Sequence, residues 1–292
     1  MALTFTDQYD NAGDSTTIGI NGGVDPLTGA PVAPGQLSTT HVNNLKNLIG
    51  DVKSHGFEYT TLGFFWIANG PFQQEIDAGR LERYKSMLAQ VVVAALSADS
   101  GVIFDLANES FPFPAGIAGS PESSALHDRL RRFVPPVWNH FLGACASTGR
   151  TSKTCLRQSV GFSLILSDRT DAWKITGAHL DAMYGSQSWP GSMEIHLYDT
   201  GQDIGNPRYV LDRFGEALIG LGSRGTDLEL VIGEAFYNDE LIAMDVRAAL
   251  EQDFPNRISR LLHWQTQRDP TICGGDIHGF PSNFSEYSNQ GF

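Results

Sequence analysis

The chain has 292 residues, 41% of them hydrophobic, and its 33 acidic and 20 basic residues give a net charge of −13 at pH 7. This charge disfavours a nucleic-acid backbone or an anionic membrane surface as a partner, although the acidity most simply serves solubility. No apolar run approaches the ~18 residues of a spanning helix, so we expect neither nucleic-acid binding nor membrane insertion. Composition does not shift along the chain, which predicts one domain over residues 1–292.

The sequence gives two weak indications of the cellular compartment in which the protein works. Residues 1–7 lack the basic stretch followed by an apolar one that marks a signal peptide. Cys145 and Cys155 flank a polar stretch typical of a loop, which a disulfide would close in an extracellular protein; free thiols are the alternative. Cys273 would then be unpaired. We expect a secreted or extracellular protein, with a cytoplasmic location as the alternative.

Apolar runs alternate with amphipathic helical patterns along the whole chain. The predicted strands are residues 17–21, 57–66, 101–108, 160–166, 193–198, 228–234 and 258–264. The predicted helices are residues 39–54, 79–96, 123–146, 171–183, 207–221 and 239–252. Strands that alternate with helices form a parallel sheet with right-handed crossovers.

Two parallel folds fit this alternation. An open doubly wound sheet usually carries a Gly-rich nucleotide-binding turn, and neither Gly-x-Gly-x-x-Gly nor a P-loop occurs. A closed barrel needs eight strands, one more than the convincing ones. Because the first 40 residues are rich in Gly, Pro and Thr, an early strand is degenerate, lies within residues 3–9, or is missing. We predict a (β/α)8 TIM barrel with a degenerate or irregular N-terminal strand.

Two of the apolar runs end in a glutamate. Residues 101–110 are GVIFDLANES and residues 228–236 are LELVIGEAF, so Glu109 and Glu234 each stand where a buried strand stops. Parallel barrels keep their catalytic groups at this edge. Two carboxyl groups that face one cavity are the minimum for breaking a glycosidic bond. Either glutamate alone would more often be a helix-cap neighbour or an ion-pair partner.

Four motifs together resemble clan A of the glycoside hydrolases, the retaining enzymes that include family 5. In that clan an Asn-Glu ends the fourth strand, a His-x-Tyr follows the sixth, and a glutamate and a tryptophan end the seventh and eighth. The matching residues are Asn108 and Glu109, His196 and Tyr198, Glu234, and Trp264. The resemblance covers residues 101–265 and implies a retaining glycosidase with Glu109 as acid/base and Glu234 as nucleophile.

The chain also departs from family 5. The arginine that orients the nucleophile there has no counterpart in residues 56–63, so the support of the nucleophile is unassigned. The usual Asn-Glu-Pro is Asn-Glu-Ser, and no His-Asn follows the third strand. The exact family is therefore left open.

The residue types suit the chemistry. Phe111 and Phe113 would disfavour the ionised form of Glu109 by desolvation, as a general acid requires. A hydroxyl such as that of Tyr198 would keep Glu234 ionised. The amide of Asn108 would bind the sugar 2-hydroxyl, although it could simply terminate its strand. Carboxyl groups roughly 5 to 5.5 Å apart would give retention.

Aromatic and polar side chains are predicted to bind the sugar. His196 and Tyr198, two positions apart on one strand, share a face, although each alone is more often structural. Indole and phenyl faces stack on sugar rings, but they also pack in cores. The candidate platforms are Trp264, Trp66, Trp189 and Phe236.

Other chemistries have little support. The eight histidines show no metal-ligand spacing, and no Gly-x-Ser-x-Gly elbow occurs, so we expect no metal and no cofactor. We expect a monomer that cleaves β-linked neutral poly- or oligosaccharides, endo-acting because residues 69–79 and 111–122 form long loops. The alternative is a non-catalytic carbohydrate-binding barrel that retains the cleft.

Overall fold

The structure is a computed structural model. It describes residues 2–5, 22–25, 27–54, 58–65, 80–108, 121–161, 164–166, 180–181, 184, 188–197, 215, 218–223, 228–234, 248, 251–252 and 258–261.

Within these residues the chain forms strands that alternate with helices. The strands are β1 (Ala2–Phe5), β2 (Gly23–Val24), β3 (Pro31–Val32), β4 (Thr61–Phe65), β5 (Ile103–Asn108), β6 (Ser159–Gly161), β7 (Leu164–Leu166), β8 (Ser192–Leu197), β9 (Glu229–Glu234) and β10 (Ile258–Leu261). The longer helices are α1 (Thr39–Ser54), α2 (Arg80–Ala98), α3 (Pro121–Ser147) and α4 (Ser152–Arg157).

The strands form two four-stranded parallel sheets and one hairpin. The first sheet has the order β1-β4-β5-β6 and the second the order β10-β9-β8-β7, while β2 and β3 pair antiparallel. Neighbours in each sheet follow one another along the chain, as in successive βα units. The described strands include no hydrogen-bonded pair that joins the two sheets, so a parallel α/β fold is established and barrel closure is not.

Most predicted elements are confirmed where the structure describes them. Helix α1 spans the predicted residues, and the alternative strand within residues 3–9 is matched in part by β1, which overlaps it at residues 3–5. The predicted strand 17–21 lies outside the described residues. The helices predicted over 171–183, 207–221 and 239–252 lie largely outside them, although residues 180–181, 218–221 and 251–252 are helical.

One predicted strand is wrong as a single element. Residues 160–166 were expected to be continuous, but β6 ends at Gly161, whose φ is +74°. This left-handed conformation favours glycine. A Cβ there would also overlap Tyr184 Oη and the Pro190 ring. The path of the chain between the two sheets therefore depends on a residue without a side chain.

The two sheets enclose a common apolar interior. Ile103 of β5, Val160 of β6 and Val231 of β9 form one buried cluster, and the last of them belongs to the second sheet. On its other face β5 packs against α3, where the rings of Phe104 and Phe141 lie 5.5 Å apart. Strand β5 is thus buried on both faces, which explains its nearly continuous apolar sequence.

A cation–π contact also links the sheets. The Arg260 guanidinium of β10 lies 4.4 Å from the centroid of the Tyr59 ring, just before β4. At the same edge Asp99, which precedes β5, accepts hydrogen bonds of 2.9 Å from Lys53 Nζ and from the Gly101 amide. These contacts tie the amino ends of the strands to the ends of α1 and α2.

Helix α1 begins with a capping box that uses a histidine. Ser38 Oγ accepts a hydrogen bond from the His41 amide at 3.2 Å, and the Ser38 amide donates back to His41 Nδ1 at 3.3 Å. Glutamate or glutamine normally fills this position. Because Nδ1 accepts the hydrogen bond, the geometry requires neutral His41. Burial lowers the pKa of His41, and the charge of Asp25 only partly opposes this.

Asp25 fastens the hairpin to the start of α1. Its carboxylate accepts hydrogen bonds from the Leu27 and Thr28 amides and from Thr40 Oγ1 at 2.8 to 3.0 Å. The hydrogen bond from Ser38, with these others, holds the pKa of Asp25 well below its ordinary 3.8 against the opposing effect of burial. Its contribution to stability is therefore present above pH 3.8 and is lost only as the pH falls below that value.

We expect the stability of the protein to fall below neutral pH because of His41. Since its folded pKa is lowered, the unfolded chain binds the proton first, and stability is lost as the pH falls below the ordinary pKa of 6.5. One proton changes stability by at most ~1.4 kcal/mol per pH unit. His41→Gln keeps a capping-box acceptor and removes the titration. Urea unfolding between pH 7.5 and 5 should show a flatter profile for this variant, and identical profiles would contradict the assignment.

A disulfide joins α3 to α4, so the disulfide alternative is confirmed. Cys145 and Cys155 are buried, their Cα atoms are 5.8 Å apart, and they are separated by 10 residues. Closing a loop of this size contributes about 3 kcal/mol in the chain-entropy model. We expect the double variant Cys145→Ala with Cys155→Ala to lose about that much in urea unfolding. Reducing agent should destabilise the wild type but not this variant, and Cys273→Ala is the control expected to behave as wild type.

Candidate active site

Three of the predicted site residues stand at the carboxyl ends of strands. Asn108 ends β5 in the first sheet, while Glu234 ends β9 and His196 lies one residue before the end of β8 in the second. Because the strands of each sheet are parallel, their carboxyl ends lie at one edge. Five further predicted site residues lie outside the described part of the chain: Glu109, Tyr198, Trp264, Trp66 and Phe236.

The end of β9 contains a bulge that pairs two of these residues. The register runs regularly to Ile195 opposite Ile232 and then shifts, so that His196 is the backbone partner of Glu234. Gly233 is the extra residue. Neighbouring strands lie about 4.8 Å apart, so the backbones of His196 and Glu234 are immediate neighbours. Bulges of this kind frequently re-aim side chains next to active sites.

A buried carboxyl group occupies the space beside this bulge. The Glu194 side chain, 3% exposed, lies against Gly233, and a Cβ at position 233 would overlap its carboxyl group. Glu194 stands two residues before His196 on β8 and opposite Val231 of the apolar interior. Glu194 was not among the residues predicted from the sequence. Its signal was an acidic residue between the apolar Met193 and Ile195 of a predicted strand.

The end of β5 contains a second bulge. Gly63 of β4 pairs with Asp105, but Phe65 pairs with Asn108, so β5 has one extra residue in between. The Leu106 carbonyl within this stretch accepts a 2.5 Å hydrogen bond from Tyr84 Oη of α2. Both candidate catalytic glutamates are thus preceded by a register shift, one directly at Glu234 and one just before Glu109.

Asp105 is a further acidic residue that the sequence analysis did not single out. It is 1% exposed, and its register partners are glycines on both sides, Gly63 and Gly161. Asp105 and Ile103 of the interior cluster are two residues apart on β5, so their side chains point to the same side of the strand. Buried carboxyl groups therefore lie on the interior side of both sheets, at Asp105 and Glu194.

The hairpin lies at the start of α1. Helix α1 ends at the amino edge, where Lys53 meets Asp99, and its 16 residues span about 24 Å. Its first turn therefore reaches the carboxyl edge, and Asp25 holds the hairpin there. Leu27 at the hairpin turn is an apolar side chain that is 80% exposed.

Trp189 lies at the other edge. It precedes β8, and its neighbour Ser188 accepts a 2.7 Å hydrogen bond from Trp138 Nε1 of α3. The Trp189 side chain is half-buried. The whole length of β8 separates it from His196, so among the described site residues the structure does not bring this predicted sugar platform together with Asn108, His196 and Glu234.

The described residues contain no group of three or more His, Cys, Asp or Glu side chains able to hold a metal ion. In the same part of the chain, no helix combines the length and the apolar character needed to cross a bilayer.

Comparison with known proteins gives distant structural similarities. No protein-family model matches the chain, and no curated protein is significantly similar in sequence. One similar structure is a family 5 xyloglucan-specific endo-β-1,4-glucanase from a metagenomic library in complex with cellotriose, at 15% identity and a TM-score of 0.45, covering 78% of this chain and 68% of that one. Another is cellulose synthase subunit Z from Clostridioides difficile, at 12% identity and a TM-score of 0.40, covering 82% of this chain and 91% of that one. Similarity at these values decides neither the fold nor the activity of this chain.

Proposed function

We propose that the protein is a retaining glycoside hydrolase that cleaves β-glycosidic bonds in a neutral poly- or oligosaccharide. The observation that carries the proposal is the register of β8 and β9, in which the bulge at Gly233 brings the backbone of Glu234 beside that of His196. A carboxylate and an imidazole at the ends of neighbouring strands suit a nucleophile with a polar partner. Asn108 ends β5 across the shared interior and directly precedes Glu109.

The two sheets would complete a closed barrel in this proposal. The buried cluster of Ile103, Val160 and Val231 and the contact between Arg260 and Tyr59 support one ring, because both join the first sheet to the second. The carboxyl ends of β5 and β9 would then face one cavity. The disulfide supports a secreted protein, since such bonds persist in oxidising compartments.

The mechanism follows from two carboxyl groups in different protonation states. Protonated Glu109 donates its proton to the glycosidic oxygen while the Glu234 carboxylate attacks the anomeric carbon and displaces the leaving sugar. Glu109, now ionised, takes a proton from water, and that water releases the covalently bound sugar from Glu234. Two inversions at the anomeric carbon give net retention. The amide of Asn108 would hold the 2-hydroxyl during both steps.

The rival function is a carbohydrate-binding barrel without catalysis. It is favoured by the lack of an arginine in residues 56–63. A family 5 enzyme would orient its nucleophile with an arginine from this early strand. Such a protein would keep the cleft and its aromatic residues but would leave the glycosidic bond intact.

Incubation with a panel of β-glucans, mannans and xylans tests the proposal. We expect release of oligosaccharides whose new reducing ends are initially in the β configuration, as seen by NMR. A 2-deoxy-2-fluoro glycoside should label the peptide that contains Glu234, as seen by mass spectrometry. Binding without products and without a label would favour the rival function, and initial release of the α anomer would refute retention.

A further inference from the structure

We propose that Tyr84 is a positioning residue for the general acid, an inference that rests on the proposed function. Tyr84 lies on α2, outside the sheet. It acts through the backbone of β5, the strand that leads into Asn108 and Glu109.

Tyr84 binds the backbone of β5 at a point where the pairing of the strand shifts. Strand β5 gains one residue between Asp105 and Asn108 relative to β4, while on the β6 side Asp105 pairs with Gly161 after a shift of its own. Leu106 lies between these shifts and is a register partner in neither described pairing. Buried carbonyl groups require hydrogen-bond donors. Tyr84 Oη donates to the Leu106 carbonyl at 2.5 Å, and the Leu106 side chain is fully buried.

The packing of the Tyr84 ring fixes the direction of its hydroxyl. The Tyr84 ring is 3% exposed and packs between Phe64 of β4 at 6.1 Å and Phe133 of α3 at 5.4 Å between centroids. Aromatic neighbours on two different elements leave the ring little freedom to turn. The hydroxyl is therefore a fixed point against which the bulged end of β5 is held.

The position of the Tyr84 hydroxyl affects proton transfer through the backbone of β5. Leu106 is three residues before Glu109, and proton transfer in the transition state requires a donor within hydrogen-bond reach of the leaving oxygen. A misplacement of about 1 Å can cost roughly 100-fold in rate. If the bulge relaxes, the proton donor moves, whereas Glu234 on β9 keeps its place. Loss of the Tyr84 hydroxyl should therefore impair acid catalysis selectively.

The test compares two leaving groups in the variant Tyr84→Phe. An unsubstituted oligosaccharide needs protonation to depart, whereas a 2,4-dinitrophenyl glycoside leaves as a stable anion without it. We expect kcat for the oligosaccharide to fall about 10-fold or more with little change in KM, since general acid catalysis contributes 10²- to 10⁴-fold. We expect kcat/KM for the dinitrophenyl glycoside to fall less than about 3-fold, because kcat/KM reports only the first displacement and the proton that Glu109 takes from water belongs to the second. The ratio of the kcat/KM values for the two substrates does not depend on the fraction of folded enzyme.

Tyr184→Phe is the matched control, because it also removes a buried tyrosine hydroxyl but lies beside Gly161 of β6 and Trp138 of α3. It should leave the ratio unchanged even if it lowers the melting temperature. Equal losses on both substrates in Tyr84→Phe, or no loss, would overturn the positioning role while the proposed function stands. A wild-type protein inactive on both substrates would refute the proposed function and this inference with it.

Discussion

Replacing Glu234 with alanine is expected to abolish hydrolysis of every substrate, with kcat lower by roughly 10⁴-fold or more, because Glu234 is the group proposed to form the covalent intermediate. Added azide should restore turnover by attacking the anomeric carbon from the vacated space. A single displacement inverts the configuration, so the product should be the α-glycosyl azide. Product analysis by NMR on an activated aryl glycoside provides the measurement.

The corresponding Glu109→Ala variant should give the other product. With an activated leaving group the covalent intermediate still forms on Glu234, and azide then releases it with net retention. Glu229→Gln is the matched control, since Glu229 begins the same strand at the opposite edge and its side chain is exposed. Two variants that yield the same anomer would show that the roles of the two glutamates are wrongly assigned.

The order of the elements was predictable from the sequence because it depends on local periodicity. Helix α1 repeats apolar residues at helical spacing and buries Leu45, Ile49 and Val52. Strand β5 is apolar for nearly its whole length because both its faces are covered. The hairpin of β2 and β3 was not predicted, since its two-residue strands carry no periodic pattern and its position depends on Asp25 reaching Thr40 of α1.

The register of the sheets could not be predicted. The sequence placed Glu234 and His196 each near a strand end, but their pairing depends on one extra residue at Gly233, and a bulge is a property of two strands together. The same holds for Tyr84, whose hydrogen bond to Leu106 joins a helix to a strand in the next unit. A lone tyrosine in an amphipathic helix has no signal that distinguishes it from ordinary packing.

The substitution Gly233→Ala is expected to have the second large effect. Its Cβ would overlap the buried carboxyl group of Glu194, which has neighbours on every side and so cannot simply swing into solvent. Overpacking of this kind costs about 1 to 3 kcal/mol, occasionally more. The displaced strand end carries Glu234, so activity should fall further than stability. Urea unfolding and kcat on one substrate measure the two effects.

A double variant identifies the cause of the loss at position 233. If overlap with Glu194 is responsible, Glu194→Ala should open the space, and the pair should be more stable than the sum of the single changes predicts, with a coupling of about 0.5 to 3 kcal/mol. Gly143→Ala is the control, because Gly143 lies exposed in α3 with no atom within 4 Å of an added Cβ. It should be neutral or stabilising by up to about 1 kcal/mol, from helix propensity alone. If the changes in unfolding free energy at positions 194 and 233 are additive, the strain lies elsewhere. If Gly233→Ala and Gly143→Ala change stability equally, the end of β9 tolerates a side chain, and Glu194 does not hold the bulge beside Glu234.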